Sequence, residues 1–136
     1  MKASDLEIRD LFLYKGNIVE VVSIDGGTET AWIDGKKVSA LRKIDDLQPI
    51  PLTPEILEKS GIVYDYEETE CVADYTYVNI KGYQFHDDDN GVLIDYCNGH
   101  INIINDFIGT IAMDINYVHE LQHVLRLLKI GKEIKL

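Results

Sequence analysis

The stretch Val92 to Asn105 reads VLIDYC-NG-HINIIN, and the dipeptide Asn98-Gly99 at its centre constrains the fold more than any other feature. Asn-Gly fits a two-residue turn between antiparallel strands, because both residues tolerate positive φ. Such a turn sets the register, so that Cys97 faces His100. One face, predicted to lie in a core, then carries Ile94, Tyr96, Ile101 and Ile103. The opposite face, predicted to meet water, carries Asp95, Cys97, His100 and Asn102.

The first 48 residues repeat this alternation of short β-rich runs and turns. Ile18 to Ile24 is rich in β-branched residues and lies between the turn signals Lys15-Gly16-Asn17 and Asp25-Gly26-Gly27. The next run, Thr28 to Ile33, ends at Asp34-Gly35, which predicts a tight hairpin. Several short strands at close spacing are typical of small barrels, so we expect residues 1–48 to form an SH3-like β-barrel module.

Residues 49–136 are predicted to form a short helix, an antiparallel sheet and an amphipathic helix that covers this sheet. Thr53-Pro54 begins the short helix, because threonine can cap a first turn that proline opens. Further strands are expected at Val72–Ile80 and Phe107–Met113, with an acidic loop or strand edge at 65–70 and a turn at His86–Gly91. The final helix is expected from Asp114 to Gly131. The fold class is therefore α+β, in two modules or one compact domain.

Composition narrows the function classes. The chain has 24 acidic and 13 basic residues and a net charge of -11, which argues against binding bare nucleic acid and favours a partner with a basic surface. Cys71 and Cys97 are too few for a disulfide framework. The opening MKASDLEIRD is polar, and no apolar run approaches the roughly 20 residues that span a bilayer. We expect a cytoplasmic protein without membrane contact, and homo-oligomerisation stays open.

The segment His119-Glu120-Leu121-Gln122-His123 satisfies H-E-x-x-H, the signature of zinc hydrolases. In those enzymes the two histidines bind zinc and the glutamate polarises the attacking water. On a helix, however, His119 and His123 lie beside Arg126, opposite the leucines, so they are predicted to point to solvent. No third ligand is evident. We expect no cofactor, and catalysis by Glu120 with zinc on His119 and His123 is the alternative.

A second candidate site is rich in tyrosine and glutamate. Tyrosine favours interfaces because it supplies contact area and a hydrogen bond at low entropic cost. Ordinary strand propensity also explains tyrosines, since they pack well in sheets. The predicted partner-binding residues are Tyr64, Tyr66, Glu67, Glu68, Glu70, Tyr75 and Tyr77.

Two longer stretches, PIPLTPEILEKSGI at Pro49 to Ile62 and VHELQHVLRLLKIGKEIKL at Val118 to Leu136, carry a family resemblance. They resemble a group of small uncharacterised proteins from phages, prophages and mobile elements of Bacteroides-type bacteria. The group usually has Asn at the position of His123 and often Gln at that of Glu120. The resemblance therefore implies no catalytic or metal-binding residue. It implies an accessory protein that acts in a bacterial host.

Three functional hypotheses follow. The first is a non-enzymatic protein that binds a host protein, for example as an inhibitor of antiviral defence. The second is the zinc-dependent hydrolase. The third is association with nucleic acid through the N-terminal module, where basic residues could form a local positive face. Those residues are Lys15, Lys36, Lys37, Arg42 and Lys43.

Overall fold

The computed structural model describes residues 1–73, 76–85, 92–105, 109–131 and 133–136. The fold is α+β, as predicted, with antiparallel sheets of four and five strands. The chain divides into a first unit, residues 1–51 with 117–127, and a second unit, residues 52–116 with 128–136. The helix near the C terminus thus belongs to the first unit, whereas the sequence placed it over the sheet of residues 49–136.

The first unit contains a four-stranded meander. Its strands, in spatial order, are β1 (Leu11–Tyr14), β2 (Asn17–Asp25), β3 (Thr30–Asp34) and β4 (Ser39–Lys43). Lys15 and Gly16 have positive φ and form a two-residue turn between β1 and β2. The β3–β4 loop covers residues 35–38, so it is longer than Asp34-Gly35 predicts. Gly35 is needed there because a Cβ would lie 2.6 Å from the carbonyl oxygen of Ile18.

This sheet is curled but open. Arg42 Nε on β4 donates to the Tyr14 hydroxyl on β1 at 2.9 Å, although these strands form opposite edges of the sheet. Leu13 of β1 also exchanges two backbone hydrogen bonds, of 2.9 and 2.8 Å, with Gln48, which follows β4 and belongs to no named strand. The described residues show no β1–β4 pairing, so the predicted barrel is not closed. The core of this unit contains Leu6, Phe12, Tyr14, Val19, Val21, Ala31, Ile33, Ile44 and Leu47.

Helix α2 (Val118–Leu127) completes the first unit and is shorter than predicted. Asp114, at the expected helix start, has a φ of 56° and lies in a strand. At the other end, Lys129 has a φ of 58°, which the right-handed helix does not allow. Val118 N donates to the carbonyl of Ile50 at 2.8 Å and joins the helix start to the chain after β4. The buried apolar residues of the helix are Val118, Leu121 and Leu125.

The second unit begins with helix α1 (Pro54–Lys59), where Thr53 Oγ1 accepts a hydrogen bond from Ile56 N as predicted. Its strands, in spatial order, are β5 (Ile62–Ala73), β6 (Thr76–Phe85), β7 (Val92–Cys97), β8 (His100–Asn105) and β9 (Gly109–Ile115). The single strand predicted at Val72–Ile80 is wrong, because this segment contributes to both β5 and β6. The acidic residues 65–70 lie within the edge strand β5. The turn predicted at His86–Gly91 and the strand start at Phe107 lie outside the described residues.

The β7–β8 hairpin has the predicted register, with Cys97 opposite His100. Asn98 and Gly99 both have positive φ, as the two-residue turn requires. The isoleucines of the predicted core face, Ile94, Ile101 and Ile103, are fully buried. The described residues 133–136 do not form a strand, and Lys135 N donates to Ser60 Oγ at 2.8 Å.

One close contact in the second sheet yields a stability prediction. Tyr66 lies across Gly82, where a Cβ would be 2.2 Å from the ring, and its hydroxyl donates to Asp95 Oδ1 at 2.5 Å. Gly82→Ala should lower the free energy of unfolding by about 1–3 kcal/mol, because the ring must move. Urea denaturation measures the change. In a Tyr66→Ala background the same substitution should cost much less, and an equal cost in both backgrounds would contradict the assignment.

Candidate functional site around the C-terminal helix

The H-E-x-x-H helix lies beside a carboxylate that is fully buried. Asp10 is 0% exposed, and its Oδ2 accepts hydrogen bonds from His123 Nε2 at 2.7 Å and from the Glu7 backbone N at 2.8 Å. Its Oδ1 accepts from Arg126 Nη1 at 2.7 Å. Burying a carboxylate without such partners is strongly unfavourable. The two cationic side chains of α2 therefore compensate the charge that the N-terminal segment buries.

A second carboxylate extends this cluster. Glu7 Oε2 lies 3.3 Å from His123 Nδ1, and Glu7 Oε1 lies 3.4 Å from Arg126 Nη1. Both ring nitrogens of His123 thus face carboxylates, an arrangement that suits the doubly protonated ring. The hydrogen bond to Asp10 raises the pKa of His123, with a further contribution from Glu7, while burial and Arg126 oppose the rise. These contacts favour the protonated form of His123.

Gln122 forms hydrogen bonds with the backbone of the N-terminal segment that contains Asp10. Its Oε1 accepts from Leu11 N at 2.9 Å, and its Nε2 donates to the carbonyl of Arg9 at 3.1 Å. Arg9 has a φ of 77°, so the segment enters β1 through a left-handed residue. An amide side chain that satisfies both a backbone donor and a backbone acceptor positions this irregular segment on α2.

The prediction that His119 and His123 point to solvent is wrong. His119 is only 8% exposed, and the side chains of His123 and Arg126 are 25% and 34% exposed. Helical periodicity correctly places them away from the leucines. It does not reveal that residues 7–10 cover this face and supply the carboxylates that make burial favourable.

His119 lies in an aromatic column. Its ring centroid is 4.7 Å from that of Phe12 and 6.0 Å from that of Tyr117, with which it is nearly parallel. Its Nδ1 is buried and has no hydrogen-bond partner among the described residues. Burial lowers the pKa of His119, although the carboxylates of Asp10 and Glu120 oppose the change. The surroundings therefore favour the neutral form of His119 and, one turn away, the protonated form of His123.

The three motif residues thus have structural contacts that a zinc hydrolase would not use. Glu120 Oε1 accepts a hydrogen bond from Tyr117 N at 3.1 Å at the start of the helix. His123 would have to leave Asp10 or Glu7 before one of its nitrogens could bind a metal. Within the described ranges, no three His, Cys, Asp or Glu side chains are arranged to hold a metal ion. Zinc-dependent hydrolysis stays a prediction.

The tyrosine- and glutamate-rich site lies on β5 and β6. Tyr77 is 62% exposed, whereas Tyr66 is turned onto Gly82 and Tyr75 lies outside the described residues. Glu67 accepts hydrogen bonds from Asn79 Nδ2 at 2.5 Å and from the Tyr64 hydroxyl at 3.4 Å. The bond from Asn79 lowers the pKa of Glu67, which keeps this carboxylate ionised. The exposed members of the site are Tyr64, Glu67, Glu68, Glu70 and Tyr77.

Two of the five basic residues proposed to bind nucleic acid contact the ring of Tyr14. Lys15 Nζ and the Arg42 guanidinium lie 5.5 and 5.6 Å from the centre of the Tyr14 ring. Lys36 and Lys37 are exposed in the β3–β4 loop, and Lys43 is exposed at the end of β4. Two of the five positive charges are thus engaged with one buried tyrosine.

The sequence reasoning missed Glu7, Asp10 and Gln122 as members of the cluster. Glu7 and Asp10 belong to the polar opening MKASDLEIRD, and Gln122 is a variable position of the motif. No local pattern singles them out, because their partners come from the opposite end of the chain.

The cluster predicts how stability varies with pH. The folded-state pKa of His123 is raised above the unfolded value of about 6.5, so its stabilisation is fully present below that pH and is lost as pH rises through the folded pKa. At about pH 5.5, His123→Ala should lower the free energy of unfolding by roughly 1–3 kcal/mol through lost bonds to Asp10 and Glu7. Chemical denaturation should show this difference shrinking towards about pH 9.

His119→Phe is the matched control, because phenylalanine keeps the stacking and removes the ionisable ring. The pKa of His119 is lowered, so protonation of the unfolded chain below about pH 6.5 weakens the wild type. This variant should therefore gain stability relative to the wild type as pH falls. A pH trend of the same sign for both histidine variants would contradict their assigned protonation states.

Metal content gives a separate prediction. Protein purified without a metal-affinity tag should contain no stoichiometric zinc, because Asp10 and Glu7 engage both nitrogens of His123. Elemental analysis by mass spectrometry measures the ratio of zinc to protein. One zinc per chain, lost in His123→Ala, would restore the hydrolase hypothesis.

Comparison with protein-family models, curated proteins and solved structures found no match for this chain. Neither α1, with six residues, nor α2, with ten, is long and apolar enough to cross a membrane, and the same holds throughout the described ranges. Function then has to be inferred from the geometry and chemistry of the side chains themselves.

Proposed function

We propose that this protein is a non-enzymatic binding protein whose acidic arm docks on a partner with a basic surface. The acidic arm consists of residues 67–73 of β5 and 76–80 of β6. The observation that carries the proposal is the length of this hairpin. β6 pairs with β7 only from Lys81 to Gln84, so the described part of β7 gives the arm no third strand.

The arm is longer than a strand pair needs to be if its only role is to form part of the sheet. β5 has 12 residues, whereas strands commonly have about 5–6, and a two-stranded ribbon alone is only marginally stable. Charged residues on an edge strand also discourage aggregation, which explains some of its glutamates. Edge protection does not explain why the hairpin extends beyond the strand that supports it.

The exposed side chains suit a cationic partner. Glu67, Glu68 and Glu70 are exposed within four consecutive positions, close to the exposed rings of Tyr64 and Tyr77. Carboxylates accelerate encounter with a basic surface, and tyrosines add contact area and hydrogen bonds once the complex forms. The net charge of -11 strengthens this attraction at long range.

We propose a phage or mobile-element accessory protein that binds a host protein in the bacterial cytoplasm and inhibits antiviral defence. Its support is the resemblance of the Pro49–Ile62 and Val118–Leu136 segments. Expression of the chain in a defended host should raise the plating efficiency of a phage that the defence restricts. An unchanged efficiency across the defence systems of that host would count against inhibition.

We also propose that the first sheet has an SH3-like fold. The Arg42–Tyr14 bond and the Leu13–Gln48 pairing support it, since both bring the sheet towards closure. An experimental structure with continuous strand pairing around the sheet would establish it.

The acidic arm can be tested by removing its charge without changing side-chain size. The triple variant Glu67→Gln, Glu68→Gln, Glu70→Gln should lose partners that the wild type captures from host lysate. A control with equal charge loss in the first unit carries Glu20→Gln, Asp34→Asn and Asp46→Asn, all at exposed positions. Quantitative mass spectrometry of affinity-purified complexes compares the three proteins.

For a captured partner, association kinetics give the second measurement. The arm variant should associate about tenfold more slowly at low salt, and the gap should narrow as salt rises. The control should lie near the wild type. Equal capture by the two triple variants, or no captured partner at all, would refute the proposed docking role of the arm.

A further inference from the structure

We infer that the partner of the acidic arm supplies an extended segment that pairs with the free edge of β5 and carries lysine or arginine at alternate positions. The inference rests on the proposed function and adds the conformation and the charge pattern of the partner. β5 is an edge strand, because within the described chain it pairs only with β6. Addition of a strand to such an edge is a recurring mode of peptide recognition.

The edge of β5 is regular along most of the arm. The register shifts of β5 lie between Tyr64 and Tyr66 and between Cys71 and Ala73. From Tyr66 to Cys71, six consecutive residues of β5 pair one to one with β6. This run is about 20 Å long, and every second residue in it directs its N–H and C=O away from β6. A partner strand can therefore form a continuous backbone ladder along it.

Two carboxylates on one face of β5 have no cation opposite them. Glu68 and Glu70 are exposed and two positions apart, so they point to the same face of the strand. Their cross-strand neighbours are the apolar residues Ile80 and Val78. Among the described residues, neither glutamate forms an ion pair or a hydrogen bond. A cationic strand laid beside β5 would supply the missing countercharges.

Glu67 differs from these two glutamates and lies on the opposite face. It pairs with Lys81 in the register and accepts a hydrogen bond from Asn79. Its charge is therefore compensated within the sheet, whereas the charges of Glu68 and Glu70 are left for a partner.

The same carboxylates argue against a second copy of this chain as the occupant. Antiparallel pairing of two β5 edges about Thr69 would place Glu68 of one copy opposite Glu70 of the other, and like charges in directly opposed positions are destabilising. Glutamates on an edge strand thus discourage self-pairing but accept a strand with cations at matching positions. Lysines or arginines two positions apart share a face and can meet both carboxylates.

Short peptides test the charge pattern. The probe is acetyl-Thr-Lys-Val-Lys-Val-Thr-amide, whose two lysines share a face when the peptide is extended. Its isomer acetyl-Thr-Val-Lys-Lys-Val-Thr-amide has the same composition but places the lysines on opposite faces. At low salt, amide NMR shifts of residues 66–71 in isotope-labelled protein should saturate with a dissociation constant of roughly 1 mM for the probe. The isomer should bind about fivefold more weakly.

Backbone methylation separates strand pairing from attraction by charge alone. One version of the probe carries N-methyl groups on both lysines, and another carries them on both valines, with the charge unchanged. In a strand these two sets of N–H groups point to opposite edges, so only one set faces β5. One methylated version should lose binding and the other should keep it. Equal binding by the probe and both methylated versions would overturn the inference and leave the proposed function intact.

Variants of the chain test which carboxylates are used. Glu68→Gln combined with Glu70→Gln should weaken binding of the probe about tenfold, whereas Glu67→Gln should change it by less than about twofold. Amide spectra of the free variants report whether each remains folded. Equal effects of the two changes, or no saturable shift with the probe, would overturn the inference. Arm-dependent capture of partners from lysate without probe binding would contradict strand pairing alone, and failure of both would contradict the proposed function as well.

Discussion

The charge of Asp10 is the constraint on which the first unit depends. Its side chain is fully buried, so the protein must supply cationic partners at hydrogen-bond distance. Both partners, His123 and Arg126, come from α2, at the far end of the chain. Gln122 adds hydrogen bonds to the backbone at Arg9 and Leu11. The helix is therefore held by polar contacts on one face and by leucines on the other.

This arrangement changes the meaning of H-E-x-x-H in this chain. In a hydrolase the same spacing directs two neutral histidines at one metal ion. Here Asp10 favours the protonated state of His123, while burial favours the neutral state of His119. The two histidines of the motif therefore favour different protonation states, because their surroundings differ. A helical pattern specifies which residues share a face, but it does not specify what covers that face.

Features that depend on neighbouring residues could be predicted from the sequence, and features that depend on residues far apart in the chain could not. The Asn98-Gly99 hairpin was predicted with its register because two adjacent residues determine it. The Thr53 cap was equally local. The sequence did not predict the division of Val72–Ile80 between β5 and β6, since strand propensity continues through the segment. Nor did it predict the cluster around Asp10, because the carboxylates and their cationic partners lie more than 110 positions apart.

The division of the chain also has a consequence for biosynthesis. Both units are discontinuous in sequence: residues 52–116 separate the two segments of the first unit, and residues 117–127 separate the two segments of the second. A ribosome makes the N-terminal sheet well before the helix that pairs with Asp10. During translation the strands of the second unit can pair while the first unit still lacks His123 and Arg126. Vectorial synthesis therefore leaves Asp10 without its two partners until the whole second sheet has been made.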